Sequence, residues 1–160
     1  MTKTELIQVF AGCIGTIGFA ILFHIRGKRF VAAAIGGLLS WLMVVLLNNV
    51  IESRPMIYFI VACAISLYAE VMARILKTPT TTFITPSLVP LIPGGSLYDS
   101  MVSAFHGSFD TFLPKAIYTM KLASALALGI ILVTALVRAF NKISHNRSKK
   151  AKEQNDSQAC

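Results

Sequence analysis

Thr80-Thr81-Thr82-Phe83-Ile84-Thr85-Pro86-Ser87-Leu88-Val89-Pro90-Leu91-Ile92-Pro93-Gly94-Gly95-Ser96-Leu97-Tyr98 is the stretch on which the fold turns. With Thr78 and Pro79 ahead of it, the segment is apolar enough to enter a bilayer yet carries Pro79, Pro86, Pro90 and Pro93. An interior proline removes a backbone donor and clashes with the preceding turn, so Thr78 to Tyr98 cannot be one regular helix. Gly94-Gly95 lets the backbone turn freely. Irregular backbone at membrane depth persists only where it is buried in protein or lines a watery cavity. Transporters use such breaks, with half-helix N-termini directed at anionic groups of the solute and freed carbonyls at cations. A second half-helix starting near Gly94 turns the amides of Gly95, Ser96 and Leu97 into a small anion-binding terminus. The threonine hydroxyls and Ser87 suit a polar solute. A kinked helix with a structural role is the competing reading.

The rest of the chain places this segment in lipid. Of 160 residues, 55% are hydrophobic and only 14% charged, and the mean hydropathy is +0.68. Soluble domains run at about 45–50% apolar and about 25% charged, so polar surface is too scarce here to cover a globule. Disorder is excluded by the same numbers. A helix needs about 20 apolar residues to cross the hydrocarbon. Leu6–Ile25, Phe30–Leu47, Met56–Ala73 and Ala116–Phe140 are such runs. The fold class is all-α, a polytopic membrane protein.

Charge orients it. Fifteen Lys and Arg against seven Asp and Glu give +8. The basic residues gather at Arg26, Lys28 and Arg29, at Arg74 and Lys77, and from Arg138 through Lys142, Arg147, Lys149, Lys150 and Lys152. The segments around Glu52 and Arg54, and around Asp99, Asp110 and Lys115, are near neutral. The positive-inside rule makes the three basic groups cytoplasmic, with the N-terminus outside and the C-terminus inside. If the proline-rich segment dipped in and returned, the basic tail would be exported. Crossing keeps it inside, so the expectation is five transmembrane helices, 6–25, 30–47, 56–73, 78–98 (broken) and 116–140, followed by a disordered basic tail at 141–160.

Small residues four apart mark packing seams, because lipid supplies no hydrophobic drive for helix association. Gly12, Thr16 and Ala20 form one stripe, Ala32, Gly36 and Ser40 another, and Ala125 with Gly129 a third. Phe10-Ala11-Gly12-Cys13 outlines a lipoprotein signal, but the apolar run before it is shorter than the 7–15 residues of an h-region. Cys13, Cys63 and Cys160 read as free thiols. No aromatic residues interleave with the basic tail, so nucleic acid is excluded as a partner. The tail's charge suits membrane lipids and topology setting.

Pro90-x-x-Pro93-Gly94-x-x-x-Tyr98, with the threonines before it and Ser100-Met101-Val102 after it, resembles the signature of the threonine/serine exporter family. Gly18-Phe19-Ala20 with Phe23 and the basic turn that follows are similar too. The likeness covers residues 10 to 140 and is to the short, stand-alone form of that family's C-terminal half. It implies a secondary exporter of threonine and serine, or in split systems of succinate-type dicarboxylates. It further implies a bacterial cytoplasmic membrane location, a complementary five-span partner subunit carrying the N-terminal half, and a higher oligomer as a further arrangement. Five spans per half puts two such halves in opposite orientations, the parity of an inverted repeat with its site at the midplane.

The substrate-binding candidates are therefore Thr81, Thr82, Thr85, Pro90, Pro93, Gly94, Gly95, Ser96 and Tyr98, facing a small carboxylate-bearing solute. Glu70, the acid inside a span, is a coupling candidate, as intramembrane acids often are. It equally reads as an i,i+4 partner of Arg74. Lys121 is a second coupling candidate, or a snorkelling lysine. His24 and His106 lack a second ligand at useful spacing, so neither metal nor cofactor is assigned. A lipid-modifying enzyme needs clustered acids or His/Asp pairs, which are absent from the sequence. A non-transporting assembly or stability subunit of a larger transporter stays open as the alternative.

Overall fold

The computed structural model describes residues 3–106 and 109–158, with side chains described at 7, 10–105 and 109–142. It is 87% helical, with no strand among the described residues. The helices are α1 (Lys3–Leu22), α2 (Lys28–Asn48), α3 (Arg54–Ile75), α4 (Thr81–Leu88), α5 (Gly94–His106) and α6 (Phe109–Gln158), with a 3-10 turn at Val89–Leu91 between α4 and α5. Among the described residues, α2, α3 and the Phe109–Lys142 part of α6 are long and apolar enough to cross a membrane, and the apolar part of α1, Phe10–Leu22, is shorter. The chain is thus an all-α protein with the apolar helices of a membrane protein.

Glycine and serine decide how the helices pack. Central α2 touches α1, α3 and α4, while α6 lies along α3, with α5 folded back on its beginning. Gly12, Thr16 and Ala20 are buried on α1, with Gly12 against Trp41 and Thr16 against Gly37 on α2, while Gly36 faces Ser87 on α4 and Tyr68 on α3. A Cβ on Gly37 would run into the Thr16 side chain, which is itself held by a 2.9 Å hydrogen bond to the Gly12 carbonyl. On α6, a Cβ at Gly129 would come within 2.7 Å of Ala62 Cβ and 2.9 Å of the Phe59 carbonyl. These are backbone-to-backbone approaches that only small residues permit. Tyr68 fastens α3 to α2 by donating to the Ala32 carbonyl at 2.9 Å. Outward-facing Ile14, Ile21, Leu67, Val71, Ile131 and Leu136 stay exposed, as lipid-facing side chains do.

Two helices stop without glycine. The Ile25 amide donates to the Ala20 carbonyl at 3.0 Å, and the Thr78 amide to the Ala73 carbonyl at 3.0 Å. Both are six-to-one closures of Schellman type, which require a left-handed residue at the turn. His24 (φ 55°) and Lys77 (φ 48°) supply it. Ile25 then folds onto Ala20, and both are buried in a cluster with Ala33, Ala69 and Phe83. His24 is therefore a helix-ending residue at an exposed position.

The break in the proline-rich segment falls at Val89–Pro93. Ile92, forced into extended backbone (φ −56°, ψ 128°) by the proline after it, separates the 3-10 turn from α5. The second helix, however, does not end at Tyr98. It continues to His106, and α6 begins at Phe109 rather than Ala116. Ser96, Ser100 and Ser103 are spaced as a helical face, and this polar face packs on α6. The last helix also runs past Phe140 to Gln158. The segment has no proline or glycine to stop it and is rich in the helix formers Lys, Ala, Glu and Gln. Cys160 and the side chain of His106 lie outside the described residues.

Candidate functional site

The start of α5 opens onto a cavity of about 310 Å³. Its wall is assembled from Trp41 on α2, Arg54 and Tyr58 on the first turns of α3, Pro90 and Pro93 at the break, Gly94, Gly95 and Ser96 on α5, and Tyr118 on α6. Gly94 donates to the Ile92 carbonyl at 2.6 Å, and Leu97 to the Pro93 carbonyl at 3.0 Å. That leaves the amides of Gly95 and Ser96 as the unpaired donors of this helix end, two rather than the three expected. Free amides at a helix N-terminus carry partial positive charge and receive anions. Arg54 adds a full positive charge to the same cavity, with five donors in a fixed fork suited to a carboxylate. Arg54 and Tyr118 are also the electrostatic neighbours of the Tyr58 hydroxyl. Trp41 stands on Gly12, where a Cβ would strike the indole ring. Its Nε1 is buried with no acceptor among the described residues.

Hydroxyls on α6 fix the first turn of α5 in place. Thr119 Oγ1 lies 3.0 Å from the Ser96 carbonyl and 3.0 Å from Ser100 Oγ, which itself donates to Ser96 at 2.7 Å. One turn on, Lys115 Nζ donates to Ser103 Oγ at 2.8 Å, and Ser103 donates to the Asp99 carbonyl at 2.8 Å. Ser100, Ser103 and Thr119 are 4%, 7% and 8% exposed, so these bonds are shielded from competing water and hold the two free amides at a defined position.

The residues singled out in the sequence divide. Pro90, Pro93, Gly94, Gly95 and Ser96 come together at this cavity. Thr81, Thr82 and Thr85 gather elsewhere, at the other end of α4, in a cavity of about 200 Å³ with Phe23, Ile25 and Pro86. A further, apolar cavity of about 390 Å³ lies between α4 and α6 and includes Thr85 and Pro93. Tyr98 is exposed on α5 and lines none of the three. Half-buried Glu70 and exposed Lys121 also stand outside them. Arg74 donates to Asn141 Oδ1 on α6 at 3.0 Å, and no ion pair joins it to Glu70 among the described residues. No group of three His, Cys, Asp or Glu side chains suited to a metal occurs among them.

Sequence reasoning missed Arg54, Trp41, Tyr58 and Tyr118. Arg54 sits beside Glu52 in a stretch read as a neutral loop, and the other three are aromatics at the apolar positions of helices. The available signal was the 3–4 residue spacing of Ser96, Ser100 and Ser103, matched by Lys115 and Thr119 four apart.

Residues 8–136 match the family model described as Threonine/Serine exporter, ThrE. No curated protein matches, and no solved structure does.

Proposed function

The chain belongs to the threonine/serine exporter family, and from that premise we propose that it is the short subunit of a two-component secondary exporter. In this reading α1, α2, α3, the broken α4–α5 unit and α6 make five crossings of a bacterial cytoplasmic membrane. The N-terminus lies outside, the basic residues after Phe140 lie in the cytoplasm, and a complementary five-span subunit supplies the other half. The solutes are small carboxylates, either threonine and serine or dicarboxylates such as succinate. The solute carboxylate sits between Arg54 and the amides of Gly95 and Ser96.

The observation that carries this reading is the convergence of an arginine and the unpaired start of a helix on one cavity, at a break within an otherwise apolar bundle. Two donor sets from different elements, both suited to one anion, are the device by which broken-helix transporters hold anionic groups. The thermodynamic argument is simple. A carboxylate leaving water needs its lost hydrogen bonds replaced, and these donors replace them without reorganisation, because α6 already fixes α5. Glu70 and Lys121 stand apart from the cavity and have no part in this binding step.

The test is efflux of labelled threonine, serine and succinate from vesicles carrying the chain alone, its complementary subunit alone, the two together, and the pair with Arg54→Gln. Release by the pair and its loss in the variant is the expected result. Wild-type rates in Arg54→Gln would remove the carboxylate site, and release unaffected by omission of this chain would make it a non-transporting component.

A further inference from the structure

Two cavities meet at the start of α5. The one holding Arg54 shares Ser96 and Tyr118 with another of about 280 Å³, which is lined in addition by Asp99, Pro114 and Lys115. Ser96 and Asp99 stand three residues apart on α5 and so share a face. Helical side chains tilt toward the N-terminus, so Asp99 leans back over the turn that carries Ser96. Opposite charges thus stand on two neighbouring cavities that share Ser96 and Tyr118: Arg54 lines one and Asp99 the other. Neither has an ion-pair partner among the described residues. The remaining charge, Lys115, is engaged with Ser103 Oγ at 2.8 Å, a turn beyond Asp99.

We propose that Asp99 receives the ammonium group of a zwitterionic solute and thereby sets the preference of this site for α-amino acids over dicarboxylates. The proposal rests on the carboxylate reading of the Arg54 cavity given above. An α-amino acid carries its ammonium one carbon from its carboxylate. With the carboxylate on Arg54 and the free amides of Gly95 and Ser96, the ammonium falls beside Ser96, on the face where the Asp99 carboxylate leans. A dicarboxylate in the same pose turns its second negative group toward Asp99, and the like charges repel. Lys115 keeps its charge while donating to Ser103 on the same cavity and offsets part of both effects, so the contrast between wild type and Asp99→Asn isolates the share of Asp99. Asp99 acts here as a discriminator: it adds little for a monocarboxylate, favours a zwitterion and opposes a dianion.

Trp41 is the one tryptophan in the sequence and lines the cavity, so its emission reports occupancy directly. The full chain in lipid nanodiscs is titrated with L-threonine, with 3-hydroxybutyrate (the same skeleton without the ammonium) and with succinate, and equilibrium dialysis of the labelled solutes gives the same constants independently. Wild type is expected to prefer threonine to 3-hydroxybutyrate by roughly ten- to a hundredfold, the worth of a charge-assisted pair. Asp99→Asn erases that ratio, leaves 3-hydroxybutyrate unchanged and tightens succinate. If Asp99→Asn keeps the wild-type ratio while Arg54→Gln weakens all three acids, the role of Asp99 is wrong and the carboxylate site stands. If Arg54→Gln binds the acids as wild type does, or wild type binds none of them, the Arg54 site itself falls and the discriminator falls with it.

Discussion

Gly94 and Gly95 separate the folding of this protein from its proposed activity. At neither position does an added Cβ meet any atom within 4 Å, and neither has a left-handed φ. Both line the cavity of about 310 Å³. A side chain there extends into open cavity and not into the packed bundle. Gly94→Leu adds four carbons, each about the size of a water at ~30 Å³, which together fill more than a third of the space. It also replaces the poorest non-proline helix former in the first turn of α5, a gain of up to ~0.8–1 kcal/mol. The variant is therefore expected to reach the membrane, to melt at or above the wild-type temperature, and to lose solute efflux. Gly94→Ala, which fills only about a tenth of the cavity at ~30 Å³ per carbon, retains most of it. The assay is labelled threonine and succinate release from vesicles, with thermal unfolding followed on the same preparations. Wild-type efflux from Gly94→Leu refutes the placement of the solute. Loss of folding in both variants refutes the claim that the glycines are there for space.

Other perturbations probe the scaffold. Gly37→Val drives a branched side chain into Thr16 and is expected to cost about 1–3 kcal/mol or more by overpacking, read as a lowered melting temperature that Thr16→Gly partly restores. Lys77→Gly relieves a left-handed residue whose strain is worth about 1–2 kcal/mol, so the melting temperature rises. Thr119→Val removes a buried hydroxyl from the α5–α6 contact at a cost of about 1 kcal/mol. It also weakens solute binding by loosening the turn that carries Gly95 and Ser96, seen as a raised KM for efflux with little change in kcat.

Local pattern made much of the fold legible. Apolar runs located α2 and α3 to within about two residues, since uninterrupted hydrophobicity has little else to become in a bilayer. The prolines located the break, because their geometry is intrinsic to the residue. The small-residue stripes located the α1–α2 and α3–α6 contacts. What stayed hidden depends on elements distant in sequence. Asp99, Ser100 and Ser103 look like a loop on a hydropathy scale, and only the facing Lys115 and Thr119 on α6 make them the inner side of a helix. Arg54 looks balanced by Glu52 until α3 brings it opposite Gly94. Thr81, Thr82 and Thr85 looked continuous with Pro93 to Ser96 in one site. The length of α4 keeps Thr81 and Thr82 away from Gly94 to Ser96, with Thr85 and Pro93 meeting only at the apolar cavity between α4 and α6, and tertiary distance of that kind is not written in residue type.

That separation has an electrical consequence. Between the threonine-lined cavity and the Arg54 cavity stand α4 and one 3-10 turn, about 18 Å of backbone at helical rises of ~1.5 and ~2.0 Å per residue. The surrounding hydrocarbon is ~30 Å thick. Where water fills both cavities, the membrane potential falls mainly across this thinner partition. A dianion passing through it gains about 4.6 kcal/mol at 100 mV, taking ~2.3 kcal/mol per charge, whereas a zwitterion gains nothing. On the proposed exporter reading, and with the charge of any coupled ion the same in both cases, efflux of the two solute classes then differs in voltage dependence by two elementary charges.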